Sequence, residues 1–265
     1  MHDDSRPDYG RLAPHILVEE RGPIRLLTLN APDRHNSVDD AMHHALLQAW
    51  LLLGSDSGAG AAVLTGAGSS FSAGGDMKHI RDLHDDPVLR RNTIRTAERV
   101  VRAAVSCELP VVAAVNGPAV GLGATLALLC DLVVISETAY IADPHVSIGV
   151  VAGDGGAAVW PSYMGMLQAK EYLLLGSSVS AEQCLRLGIA NRVTPTEDVL
   201  GVALELAVRL SKQPRQALRD TKRALNLHLR QAVDRALDFA LAAESESLAS
   251  DDVLAVVERF AARQR

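Results

Sequence analysis

Two segments of this chain have the residue types and spacing to do chemistry with their backbone. They are Phe71-Ser72-Ala73-Gly74-Gly75-Asp76-Met77-Lys78 and Asn116-Gly117-Pro118-Ala119-Val120-Gly121-Leu122-Gly123-Ala124-Thr125. Each follows an apolar, strand-like run and leads into a helical pattern, so unbonded N–H groups point outward at a helix start. Two such groups converging on one point would hold an oxygen whose negative charge grows during a reaction. The plainer reading is that glycines here let a strand and a helix pack tightly, and either segment alone favours it. Neither is a phosphate loop or a dinucleotide turn, because the Gly-Lys-Ser/Thr ending and the dinucleotide glycine spacing are both missing. Gly68-Ser69-Ser70 lacks the pattern of a serine nucleophile elbow. Among the histidines, His43 and His44 fall on the first helix, His79 and His84 on a polar one, and His2, His15, His35 and His228 at exposed-looking positions. No pair has metal-ligand spacing.

The elements that must position these turns follow from apolar periodicity. Ile24–Asn30, Ala61–Thr65, Pro110–Val115, Asp131–Ile135 and Tyr140–Ala142 read as strands, and Asn191–Val193 as extended. Ser37 is expected to cap a helix running to Gly54, polar helices extend to about Ser106, and an apolar helix covers Gly121–Cys130. Alternating strands and helices imply an α/β chain with helix-covered parallel sheets. From about Ala157 the pattern is almost wholly helical, with amphipathic stretches at Val199–Leu210, Pro214–Leu229, Ala232–Leu248 and Val253–Ala262. The expected division is a core over 1–200 and a helical region over 201–265.

At 265 residues, 48% hydrophobic and 22% charged, the chain buries a large core and is not disordered. Three scattered cysteines (Cys107, Cys130, Cys184) argue against a disulfide framework and for a reducing, cytoplasmic location. The opening residues carry no secretory apolar region. Leu109–Cys130 is uncharged for 22 residues, but Asn116-Gly117-Pro118 breaks it into two buried elements. A net charge of -6 and only 3% aromatic residues argue against nucleic acid as a partner. Basic residues concentrate from Arg209 to Arg235, as a solvated helix face or a docking surface for an anionic group.

The two glycine turns, in this order and separation, resemble those of the crotonase superfamily, the enoyl-CoA hydratase/isomerase family. So do Asn30-Ala31-Pro32-Asp33-Arg34-His35-Asn36-Ser37 and Ile189-Ala190-Asn191-Arg192-Val193. The resemblance implies a ClpP-like spiral of β-β-α units, a C-terminal helical region that builds trimers or hexamers, and an acyl thioester of coenzyme A as substrate. No separate cofactor is implied. It also implies that the N–H groups of Gly75 and Leu122 receive the thioester oxygen so that an enolate can form. Arg34 and Lys78 would face the nucleotide's phosphates, and Ala73 the adenine.

The two glutamates of a hydratase in that family are absent. Their positions hold Thr125 and His145. A threonine hydroxyl cannot act as a base near neutral pH, although it can hold a water or a substrate oxygen. Histidine can act as a base, best when a carboxylate fixes its second nitrogen. Asp154 is the candidate carboxylate, with a helix N-cap as its alternative role. Asp143–Pro161 is similar to 6-oxocamphor hydrolase, a superfamily member that cleaves a carbon–carbon bond in a cyclic β-diketone with a His–Asp pair. That likeness implies substrate contact by Trp160 and a catalytic glutamate at Glu244, with Glu246 as rival. The expected activity is enolate chemistry on an acyl-CoA or β-dicarbonyl, with a His/Asp base: C–C hydrolysis, isomerisation or atypical hydration. Two alternatives stand beside it, a conventional hydratase using a relocated glutamate and a non-catalytic acyl-CoA binder.

Overall fold

Strand residues alternate between two buried faces of one sheet, which requires helices on both sides. The computed structural model describes residues 7–263; the first six residues, His2 among them, lie outside that range. The strands are β1 (Ile16–Arg21), β2 (Ile24–Leu29), β3 (Ala61–Gly66), β4 (Val111–Val115), β5 (Ala119–Val120), β6 (Leu132–Ser136), β7 (Tyr140–Ala142), β8 (Ser178–Ser180) and β9 (Arg192–Thr194). The helices are α1 (Asp40–Ser55), α2 (Met77–Asp85), α3 (Pro87–Ser106), α4 (Leu122–Leu128), α5 (Gly156–Val159), α6 (Met166–Leu175), α7 (Ala181–Leu187), α8 (Val199–Ser211), α9 (Arg215–Ser247) and α10 (Asp251–Arg263).

The main sheet runs β1-β2-β3-β4-β6-β9, parallel except for the antiparallel edge pair β1 and β2. A smaller sheet, β5-β7-β8, pairs β5 parallel to β7 and β8 antiparallel to it. On one face of the main sheet Ile24, Leu26, Val63, Val112 and Val134 meet Val199, Ala203 and Ala207 of α8. On the other, Leu27, Leu64, Ala113, Val115 and Ile135 join Leu46, Trp50, Val100 and Ala104 of α1 and α3 in the principal core. Each fully buried Val, Leu or Ile stabilises by roughly 1.5–3 kcal/mol, so both helix layers are firmly held. The expected boundary at residue 200 falls inside α8, and α8 itself covers the sheet.

Four local readings change. β1 is a strand that the periodicity did not reveal, because only Ile16 and Val18 turn away from solvent. The N-cap of α1 is Asp39, whose Oδ1 accepts from the Met42 amide at 2.8 Å, while the Ser37 hydroxyl donates to Asp76 at 2.9 Å. The two helices expected over Pro214–Leu248 are one continuous 33-residue helix, α9. The basic run along it is largely structural. Lys222 is buried on Asp131 (2.6 Å) and the Leu109 carbonyl (2.7 Å), and Arg215 and Arg219 donate to carbonyls of the 56–59 turn.

The three cysteines are free and buried. Leu109–Cys130 folds as β4, a turn, β5 and α4, and among the described residues no helix is long and apolar enough to cross a membrane.

Candidate active site

The two glycine turns cross. Gly74 and Gly121 both lie at positive φ (77° and 55°), and a Cβ on Gly74 would stand 2.4 Å from the Val120 carbonyl oxygen and 3.4 Å from the Gly121 Cα. No side chain fits there, which is why both positions need glycine. The crossing brings Gly75 and Leu122 to neighbouring places. Val38 donates to the Gly74 carbonyl (2.7 Å) and its own carbonyl accepts from Asp76 (3.1 Å), so the Gly75 amide between them is left over. Leu122 is the first residue of α4, where an amide has no acceptor within the helix. Among the described residues neither amide has a hydrogen-bond partner.

His145 comes to the same place through the small sheet. β5 and β7 pair Val120 with Ala142, and the Gly121 amide donates to the Ala142 carbonyl at 2.8 Å. Three residues on, the imidazole lies against Gly121: a Cβ there would be 3.2 Å from Cε1 and 3.7 Å from Nε2. The ring is not turned to bulk solvent; the residue is 9% exposed.

The geometry alters the expected His–Asp pairing. Nδ1 of His145 is held in a short hydrogen bond by Asp143, a fully buried residue that also accepts from the His145 amide at 3.3 Å. Asp154 stands on the other nitrogen instead, its Oδ2 3.5 Å from Nε2. Asp154 is not the cap of α5, a place taken by Gly155. Asp143 is the functional residue that the sequence reading missed. The available signal was an aspartate two residues before a histidine, a spacing at which its carboxylate can bond the backbone and the ring together.

Glu244 enters from α9, buried, with Oε2 packed on Gly153 and lacking a partner; Glu246 is exposed. Thr125 is fully buried on α4, its Oγ1 also unpartnered, with its methyl against Gly155. Trp160, expected to touch substrate, is instead a core residue with no exposed surface, its ring tilted against Tyr172.

Burial alone would favour a neutral imidazole at His145. The charges of Asp143 and Asp154 and the bond to Asp143 override it and hold the pKa well above the ordinary histidine value. Burial pushes the Asp154 carboxyl up to about 6 against the pull of His145. Burial, then the charge of Asp154, pushes Glu244 well above the usual carboxylate range. The carboxylates make His145 hold its proton more tightly than an ordinary histidine does, and burial makes Glu244 give its proton up less readily than an ordinary glutamate. The bond to Asp143 occupies Nδ1, which leaves Nε2 as the nitrogen open to proton exchange.

Arg34 is paired with Asp39 (2.6 Å) and Asp76 (3.4 Å), whereas Lys78 is exposed with no ion-pair partner among the described residues. Ala73 is exposed beside them, its amide bonded to the His35 carbonyl at 2.9 Å.

The family model described as enoyl-CoA hydratase/isomerase matches residues 19–265. The chain belongs to the enoyl-CoA hydratase/isomerase family. Its fold is that of solved crotonase-fold structures. An enoyl-CoA hydratase/isomerase from Mycobacterium paratuberculosis superposes with TM-score 0.90 at 47% identity, covering 92% of this chain and 98% of that one. A beta-diketone hydrolase from the cyanobacterium Anabaena, bound to (S)-3-oxocyclohexyl acetic acid, superposes with TM-score 0.85 at 26% identity, covering 92% and 97%. The short-chain-enoyl-CoA hydratase of Clostridium acetobutylicum is 28% identical over 239 residues, 90% of this chain and 91% of that one.

Within this family member, Asp143, His145 and Asp154 present ligand-type atoms within 4.8 Å of one another, the one such cluster compact enough for a metal ion among the described residues. Nδ1 within that cluster is already bonded to Asp143.

Proposed function

We propose that this enoyl-CoA hydratase/isomerase family member forms an enolate at the Gly75 and Leu122 amides, with His145 as base. The reaction best supported is hydrolytic C–C cleavage of a β-dicarbonyl. Nε2 of His145, flanked by Asp154, takes a proton from water as the oxygen attacks one carbonyl carbon. The bond to the central carbon then breaks, and its electron pair passes into the second carbonyl as an enolate held by the two amides. Glu244 supplies the proton that quenches the central carbon, and the proton that His145 took from water then restores Glu244 by way of solvent. Water is consumed, and a carboxylic acid and a ketone result. Donors aimed at a developing oxyanion are worth roughly 3–4 kcal/mol each where they have been removed in other enzymes.

The observation that carries this reading is the contact of the His145 Cε1–Nε2 edge with Gly121, one residue before the Leu122 amide. The buried Glu244, its pKa pushed well above the usual carboxylate range, and the likeness to the Anabaena hydrolase favour cleavage over hydration, which calls for two ionisable carboxylates. Thr125 would hold water or a substrate oxygen. A second reading, acyl-CoA hydration or isomerisation, is favoured by the unpaired Lys78 and by the hydratase relatives.

His145→Ala tests both. On a cyclic β-diketone that cannot enolise between its carbonyls, acid release is expected to fall at least about a hundredfold. Crotonyl-CoA hydration that survives the substitution would sink His145 as base. Tight CoA binding with no turnover of either substrate would point to a non-catalytic binder.

A further inference from the structure

The cation expected to meet a nucleotide phosphate has other work in this fold. Arg34 ends a short turn, Pro32–Arg34, and its guanidinium reaches the carboxylates of Asp39 (2.6 Å) and Asp76 (3.4 Å). Each of those carboxylates is a helix N-cap. Asp39 accepts from the Met42 amide of α1, and Asp76 from the Lys78 (3.0 Å) and His79 (3.1 Å) amides of α2. Arg34 therefore joins the starts of two helices. Asp76 also takes the Ser37 hydroxyl at 2.9 Å, on the same oxygen that faces Arg34.

The segment that follows Arg34 is zipped to the first glycine turn. The His35 carbonyl accepts from Ala73, the Asn36 carbonyl from the Ser72 hydroxyl (2.8 Å), and Val38 exchanges bonds with Gly74 and Asp76. Gly75 is the residue bracketed by those last two bonds. Arg34 pulls on the carboxylate of the very next residue.

We infer that Arg34 is a positioning residue, an ionic strap between the α1 and α2 caps that aims the Gly75 amide, and not a ligand for an anionic substrate group. A phosphate approaching it would meet two carboxylates already bound, so electrostatics oppose that contact. A guanidinium suits the strap because its planar fork presents several donors in fixed directions, which an ammonium does not. The inference rests on Gly75 being an oxyanion donor. Its test is run without substrate, so failure of the His145 experiment and failure of this one are separate events.

The test compares the parent with Arg34→Met and Arg34→Lys by amide hydrogen exchange resolved to residues, together with calorimetric titration of free CoA. The Val38 and Asp76 amides that bracket Gly75 are expected to exchange at least tenfold faster in the methionine variant, with β4 amides unchanged. The lysine variant restores part of that protection. CoA affinity, or its absence, is expected to stay within twofold across all three proteins. Unchanged exchange at Val38 and Asp76 overturns the inference, as does an equal rise throughout the chain. A tenfold loss of CoA affinity in the methionine variant also overturns it, by making Arg34 an anion ligand.

Discussion

Asp143→Asn isolates the charge beneath the catalytic imidazole. Asparagine keeps the size of the side chain and an acceptor for Nδ1–H, so what disappears is the negative charge. An imidazolium and a carboxylate about 4 Å apart at an effective dielectric near 20 attract by about 4 kcal/mol. Both groups are buried, at 11% and 0% side-chain exposure, so screening by solvent is weak. Asp154 remains on the far nitrogen and retains part of the field, which leaves a loss of about 2–4 kcal/mol. At about 1.4 kcal/mol per tenfold, kcat is expected to fall about 30- to 1,000-fold. The pH profile moves as well. In the parent, the neighbouring carboxylates raise the His145 pKa above its ordinary range, so activity is expected to rise with pH as the proposed base is freed. Without the Asp143 charge, the acid limb shifts to lower pH while the plateau drops. The linked stability has a definite sign. A raised folded-state pKa stabilises below the unfolded histidine value near 6.5 and is lost as pH rises through the folded value, so the variant's stability deficit is largest in acid. The assay is acid release from a cyclic β-diketone across pH, with urea denaturation in parallel. A kcat change under tenfold with an unmoved acid limb would refute the assignment of Asp143.

Three further substitutions probe the surroundings. Glu244→Gln is expected to cut turnover about a hundredfold. It should also raise stability above pH about 4.3, where the unfolded glutamate ionises but the buried one does not, by a margin that levels off above the folded pKa; urea midpoints at several pH values check this. Gly155→Ala places a methyl 2.6 Å from the Thr125 methyl at φ 114°, and a loss of about 2–5 kcal/mol in urea denaturation is expected; a loss under about 1 kcal/mol would contradict the geometry. His43 is buried near His79, with ring centroids 6.4 Å apart, and burial, then the His79 charge, pushes its pKa down to about 4. A depressed histidine destabilises the fold as pH falls from about 6.5 to about 4, here by on the order of 3 kcal/mol. His43→Gln should flatten that part of the stability profile, and an unchanged slope would contradict the assignment.

Much of this arrangement was legible in one dimension because backbone geometry constrains residue type. Gly74 sits where a side chain would strike the Val120 backbone, and Gly121 takes a positive φ against the His145 ring, so the crossing of the two turns is written in glycine. The buried strands from Ala61, Val111 and Leu132 are short apolar runs because both faces are covered. The errors have equally local causes. β1 is an edge strand whose charged tail, Glu19-Glu20-Arg21, hid its pairing. Ser37, Asp39 and Asp40 compete as the cap of α1, and the choice turns on Ser37 being drawn away by Asp76, 39 residues later. α9 carries one unbroken stripe, Leu229, Val233, Leu237, Ala240, Leu241 and Glu244, which spacing across Arg230 and Gln231 allowed to be read as two helices.

The group proposed as the base shows where such reading stops. His145 and Asp154 are near in sequence, and their pairing is the obvious guess, yet the partner of Nδ1 is Asp143, on the other side of Pro144. A three-residue turn holds the nearer carboxylate under the ring, while the Gly153-Asp154-Gly155 loop is packed between Glu244 and Thr125 and reaches only the outer nitrogen. In the proposed reaction that division would give the two aspartates different duties, Asp143 holding the ring and Asp154 flanking the nitrogen that meets the attacking water. Glu244 reaches that loop from the C-terminal part of α9, where its carboxylate packs on Gly153. The phase of that helix decides between the two glutamates: Glu244 continues the buried stripe of Val233, Leu237, Ala240 and Leu241, and Glu246, two residues on, falls in solvent.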